Sequence, residues 1–128
     1  MTTGYCALRL TRTYTAAPAE VWAVLTEPES LGRWLAPPGD VELSAGGGFE
    51  VGQVRAEVRE VERGRVLELD WRPPGEEPSI VRFELAPEGE GTKLVLDHRQ
   101  VQEPVGMRYI ARWTASLGRF GATLGATP

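Results

Sequence analysis

His98 is the sole histidine of the chain, so any Ser/His/Asp or Cys/His arrangement has to be built on it. The nucleophile candidates do not gather around it in the sequence. Ser30, Ser44, Ser79 and Ser116 are scattered, none sits in a Gly-x-Ser-x-Gly elbow, and Cys6 lies in the first strand-like segment. The phase of its own segment points His98 inward with Leu94 and Leu96. A buried histidine satisfied by a backbone or side-chain partner is therefore preferred over a catalytic base, and no catalytic residue is assigned. Acid/base work by carboxylates needs one of them in an apolar pocket with a raised pKa. The pairs Glu57 with Glu60 and Glu68 with Asp70 fall on the solvated phase of their segments, with Glu60 as the exception if a bulge turns it inward. Arg12 shares the inward phase of its strand, where it is open either to a ligand carboxylate or to a neighbouring acid. One histidine and one distant cysteine give no metal-ligand spacing. Gly46-Gly47-Gly48 lacks the lysine and following helix of a phosphate loop, so no metal and no cofactor are expected.

Aromatic residues form the other candidate site. Trp22 is read as core, but Trp34, Trp71 and Trp113 together put more aromatic surface near one place than packing alone needs, which suits a ligand-lining role.

The elements that position these residues follow from periodicity. Tyr5 to Tyr14 alternates as a half-buried strand. Pro18 suits the first turn of a helix running to Thr26, and Pro28 separates it from a second short helix over residues 29–35 that ends at Pro37-Pro38-Gly39. Alternation then returns for about six strands. They are marked by Val41 and Leu43, Phe49 and Val51, Val54 to Val61 with a bulge near Arg59-Glu60, Leu67 to Trp71, Val81 to Leu85, and Leu94 to His98. Pro104 opens a final helix in which Met107, Ile110, Thr114, Leu117, Gly121 and Leu124 recur at three- and four-residue spacing, flanked by Trp113 and Phe120. The expected fold class is α+β: a curved antiparallel sheet of six or seven strands wrapped around the long C-terminal helix, as one domain over residues 1–128. A single helix cannot seal a strongly curved sheet, and the side chains aimed at the gap are Phe49, Trp71, Phe83, His98, Met107 and Trp113.

Composition narrows the partners. With 14 basic and 18 acidic side chains the net charge is −4, and the signs alternate without a basic stripe, which excludes nucleic acid. No signal-like start and no run of about 18 apolar residues is present, and the lone cysteine favours a reducing compartment, so a cytoplasmic protein without a membrane span is expected.

The segment LRLTRTYTAAPAEVWAVLTEPESLGRWLAPPG resembles the opening of the SRPBCC (START-like, helix-grip) superfamily, in its heat-shock-protein-90 ATPase activator homologue-like branch. Gly47-Gly48-Phe49, the strand from Val58 to Val61, Leu67 to Trp71, and Glu88-Gly89-Glu90-Gly91-Thr92 leading into Leu94, Leu96 and His98 agree with it. The stretch between Phe49 and Val58 is shorter than the family pattern. The resemblance implies the helix-grip fold, and a function among lipid, sterol or polyketide binding, cyclase chemistry, and assistance to chaperones in the stress response. The leading expectation is a binding module for a small apolar or amphipathic molecule, lined by Trp34, Phe49, Trp71, Phe83, His98, Met107 and Trp113. Interaction with a chaperone comes second, and a polyketide cyclase or hydrolase using His98 or Glu60 third. Exposed strand edges also permit a homodimer.

Overall fold

The structure is a computed structural model describing residues 4–126. Leu8 and Leu10 alternate with Arg9 and Thr11, which puts the leucines on the covered face of β1 (Tyr5–Tyr14) and their neighbours in solvent. Pro18 opens α1 (Pro18–Thr26), where a missing N–H leaves no intrahelical bond unmade. The ring of Pro28 then holds Glu27 extended, at φ −75° and ψ 134°, so α1 stops and α2 (Pro28–Trp34) starts afresh. Six strands follow, β2 (Pro38–Val41), β3 (Gly48–Val51), β4 (Val54–Glu62), β5 (Val66–Trp71), β6 (Ser79–Glu88) and β7 (Gly91–Gln102), before α3 (Glu103–Ala126). Expected as a helix end and loop, Pro37-Pro38-Gly39 instead leads into β2. Pro38 is tolerated there because β2 is an edge strand.

All pairings are antiparallel, in the order β1-β7-β6-β5-β4-β3-β2. The chain thus starts and resumes on opposite edges of an open, curved sheet, and α1 and α2 pack with α3 across one face of it. Two irregularities keep the inward phase. Val58 pairs with Leu69 but Glu60 pairs with Glu68, so the extra residue Arg59 restores Val61 to the covered side opposite Leu67. In β7, Leu8 faces His98 while Cys6 faces Val101, and Gln100 takes a left-handed φ of 60°. That second bulge brings Val101 back to the face that buries His98. Between β1 and β7 the backbones also approach closely: a Cβ added at Gly91 would lie 2.1 Å from the Tyr14 carbonyl oxygen.

The face of α3 that the core takes differs from the expected stripe. Tyr109, Trp113, Leu117 and Phe120 are buried, whereas Met107 is 78% exposed, Ile110 is 42% exposed and Thr114 is also exposed. The helix is turned so that its large aromatic residues are covered, because their area outweighs that of a methionine, an isoleucine and a threonine. On the opposite face of the sheet, Glu68 lies within 4 Å of Arg59, Arg82 and Arg99, and Arg82 also reaches Glu60 and Glu84. Among the described residues no helix is long and apolar enough to cross a membrane, and no cluster of metal-ligating side chains is present.

Candidate functional site

The centre of the expected gap is filled. Trp34 stands edge-on to Phe83 and Phe120 at centroid distances of 6.1 and 5.0 Å, and Phe83 stands edge-on to Trp113 at 6.0 Å. The indole N–H of Trp34 donates to the Val24 carbonyl at 2.9 Å, which satisfies its only polar atom inside the core. Phe49 is likewise fully covered. Four residues expected to line a ligand site, Trp34, Phe49, Phe83 and His98, are therefore core, and Met107 lies outside on the solvent side of α3.

His98 has no exposed surface, and both of its ring nitrogens are engaged. Trp113 Nε1 lies 3.0 Å from Nδ1, and Ser79 Oγ lies 2.7 Å from Nε2. An indole N–H can only donate, so Nδ1 is the acceptor and Nε2 carries the proton that is donated to Ser79. The spacing of a Ser/His dyad is present, but its polarity is the reverse of what catalysis needs. A general base must accept from the serine, and the one lone pair of this neutral imidazole already faces Trp113. Burial also lowers the imidazole pKa to about 4, which keeps it neutral. The ring is further enclosed by Tyr109, edge-on at 4.4 Å.

Glu60, the other enzyme candidate, is not turned inward. The bulge at Arg59 leaves it on the solvated face, where its carboxylate accepts from Arg82 Nη1 at 2.8 Å. Arg12 donates to the neighbouring Thr11 carbonyl and has no carboxylate partner among the described residues.

Space is found to one side of the aromatic core. A cleft of about 360 Å³ opens between the end of α2, the β3–β4 hairpin, the end of β5 and α3. Trp71, Trp113 and Tyr109 form its aromatic walls, and Leu35, Ala36, Val51, Val54 and Pro73 supply its aliphatic part. Arg112, Ala115, Ser116 and Arg119 of α3 complete the lining. Of the seven expected lining residues, the cleft holds Trp71 and Trp113. The two rings lie 5.6 Å apart, and Trp71 Nε1 is buried without a hydrogen-bond partner among the described residues. A weak interaction of this indole with the Tyr109 phenol works against the rise in that phenol's pKa. Tyr109 donates to Glu76 at 2.7 Å, and burial followed by this bond raises its pKa. Depressions beside Trp22 and beside Tyr5 are larger, about 390 and 490 Å³, but each is lined by a single aromatic ring.

Of the lining residues missed in the sequence, Leu35, Ala36, Val51, Val54 and Pro73 sit at or just beyond element ends, where periodicity carries little information. Only Tyr109, Arg112, Ser116 and Arg119 left a trace, since their three- and four-residue spacing defines one helical face.

A curved antiparallel sheet gripping a long C-terminal helix, with an apolar cleft beside the contact, is the helix-grip architecture of the SRPBCC superfamily. The sequence profile of the family described as Activator of Hsp90 ATPase homolog 1-like protein matches residues 15–125, and the chain belongs to that family. Among solved structures it is similar to CalU16 from Micromonospora echinospora, at 26% identity and a TM-score of 0.83 over 98% of this chain and 88% of that one. Two further similarities are below 25% identity and bear on the fold alone. Protein MLL2253 from Mesorhizobium loti has 21% identity and a TM-score of 0.86, covering 96% of this chain and 99% of that one. The HSP90 activator PFC0360w from Plasmodium falciparum has 22% identity and a TM-score of 0.82, covering 95% and 97%. No curated protein sequence matches the chain significantly.

Proposed function

We propose that this protein binds a small apolar or amphipathic molecule in the cleft between α3 and the β3–β4 hairpin. The observation that carries this reading is the set of aromatic walls, Trp71, Trp113 and Tyr109, around a cleft of about 360 Å³. Small-molecule sites begin at about 300 Å³ and combine an apolar lining with a few polar groups. The enzyme alternative loses support because His98 has the wrong tautomer for a base and Glu60 is in solvent. The free Cys6 suits a reducing, cytoplasmic setting.

The test is titration with N-phenyl-1-naphthylamine, an uncharged fluorophore that brightens in apolar surroundings. Saturable binding is expected, weakened at least tenfold by Ala115→Phe, which places a ring in the cleft from an exposed helical position. A linear, non-saturating response, or saturable binding indifferent to Ala115→Phe, would refute the assignment.

A second reading is a chaperone partner, which the family description favours. Met107 and Ile110, one turn apart on the exposed side of α3, give it an apolar contact surface. It predicts that Met107→Asp abolishes association with heat-shock protein 90 in sedimentation while leaving naphthylamine binding intact. An unchanged sedimentation profile would remove it.

A further inference from the structure

We infer that the ligand of the cleft is a small amphipathic anion, its apolar body against Trp71, Trp113 and Tyr109 and its oxyanion held by Arg112 and Arg119. This rests on the cleft-binding reading and adds the chemical class of the ligand. The two arginines are seven positions apart on α3, so their backbones are about 10.5 Å apart along the axis, on nearly the same side. Between them the cleft is lined by the small residues Ala115 and Ser116, which leave room for both guanidinium groups to converge on one group at the mouth.

Neither arginine has a carboxylate within ion-pair distance among the described residues, although the chain carries more acidic than basic side chains. On the far side of the sheet the arrangement is the opposite, with Arg59, Arg82 and Arg99 all paired to acids. The acid bonded to a lining residue of the cleft is Glu76, and its Oε1 accepts from Tyr109. Arg112 lies 5.7 Å from the centre of the Tyr109 ring, so the aromatic wall and the cation are already in contact. Arg119 is partly fixed in place: Nε donates to the Trp34 carbonyl at 3.3 Å and Nη2 to Ser116 Oγ at 3.1 Å. Its Nη1 makes no hydrogen bond among the described residues and is free to donate to a ligand.

Two planar cations beside an apolar floor select a molecule with one charged end. A carboxylate, a sulfonate or a phosphate all match the guanidinium fork, which shares two parallel donors with two oxygens. A neutral apolar molecule would leave both cations without a counter-charge, and a cation would be repelled.

A matched pair of probes separates this inference from the reading beneath it. N-phenyl-1-naphthylamine and 8-anilinonaphthalene-1-sulfonate share one apolar body, and only the second carries a charge. Wild-type protein is expected to bind the sulfonate more tightly, with an affinity that falls between 0.05 and 0.5 M NaCl. In Arg112→Gln/Arg119→Gln the ratio of sulfonate to naphthylamine affinity is expected to drop about tenfold, and in the single variants by less. Arg108→Gln removes an exposed charge of α3 outside the cleft and is expected to keep the wild-type ratio. Because Arg119 also contacts the Trp34 carbonyl, Arg119→Lys serves as the folded comparison: it keeps the charge and loses the fork, and an intermediate ratio is expected. Competition by decanoate, decyl phosphate and decanol then separates the headgroups. Displacement of the sulfonate by either anion well before decanol supports the assignment and says which oxyanion is preferred. An unchanged ratio in the double variant, or equal displacement by decanol, overturns the anion while saturable naphthylamine binding leaves the cleft reading standing. Failure of naphthylamine itself to saturate removes both.

Discussion

Acidification from pH 7.5 to pH 4.5 is expected to cost this protein about 2.5 kcal/mol of folding stability through His98 alone. Burial lowers the imidazole pKa to about 4, against an ordinary value of 6.5 in the unfolded chain. Between those two values the unfolded state binds a proton that the folded state does not, so stability falls as pH falls. The effect is absent above the unfolded pKa and levels off below the folded one. Each pH unit inside the window contributes about 1.4 kcal/mol, and rounding, chiefly at its lower edge where pH 4.5 nears the folded pKa, brings the total to about 2.5. Loss of hydration on burying the charged ring carries this cost, and one contact works in the same direction. A protonated ring would present an N–H at Nδ1 to the N–H of Trp113, replacing a hydrogen bond by two opposed donors inside the core. The assay is urea unfolding of wild type and His98→Gln at half-unit pH steps. The variant is less stable throughout, and the difference between the two proteins shrinks as pH drops from 6.5 to 4.5. Carboxylate titration is common to both and cancels in the comparison. A difference that stays constant with pH would refute the buried neutral imidazole. So would a nitrogen NMR spectrum placing the proton on Nδ1, since the donor assignment from Trp113 would then be wrong.

Gly91→Ala is expected to destabilise by about 2–4 kcal/mol in the same assay, because the new Cβ would meet the Tyr14 carbonyl at 2.1 Å and backbone cannot rotate away; a loss below 0.5 kcal/mol would contradict that contact. Glu68→Ala removes the carboxylate lying within 4 Å of Arg59, Arg82 and Arg99, and a cost of about 1–3 kcal/mol that diminishes in 1 M NaCl is expected. A salt-independent cost would point to lost packing instead.

Much of the architecture was legible in the residues. Prolines at 18 and 28 delimit the first two helices, and strand alternation located the strands from Phe49 to His98. The out-of-phase Val61 announced the bulge at Arg59. What the bulge does was not legible. A bulge near Arg59-Glu60 left open that Glu60 turns inward, whereas pairing with β5 places the extra residue at Arg59 and leaves Glu60 in solvent beside Arg82. The helix face of α3 was misplaced for a related reason. A stripe through Met107, Ile110 and Thr114 satisfies helical spacing as well as one through Tyr109, Trp113 and Phe120, and only the concave sheet decides between them.

The site shows the same division. Sequence by itself made an apolar, aromatic binding site the leading expectation and left a chaperone contact and a His98 or Glu60 enzyme open, because composition and order along the chain give residue types without their neighbours in space. Tertiary structure alone decided where the space lies and which residues face it. Trp34 and Phe83 close the centre by edge-on contacts with Phe120 and Trp113, and the remaining volume moves to a margin between α3 and the ends of α2, β3, β4 and β5. Close packing is a property of side chains distant in sequence. Whether His98 was a base or a core acceptor likewise depended on a donor fifteen positions away, the indole of Trp113, which reaches it only because α3 folds back across β7.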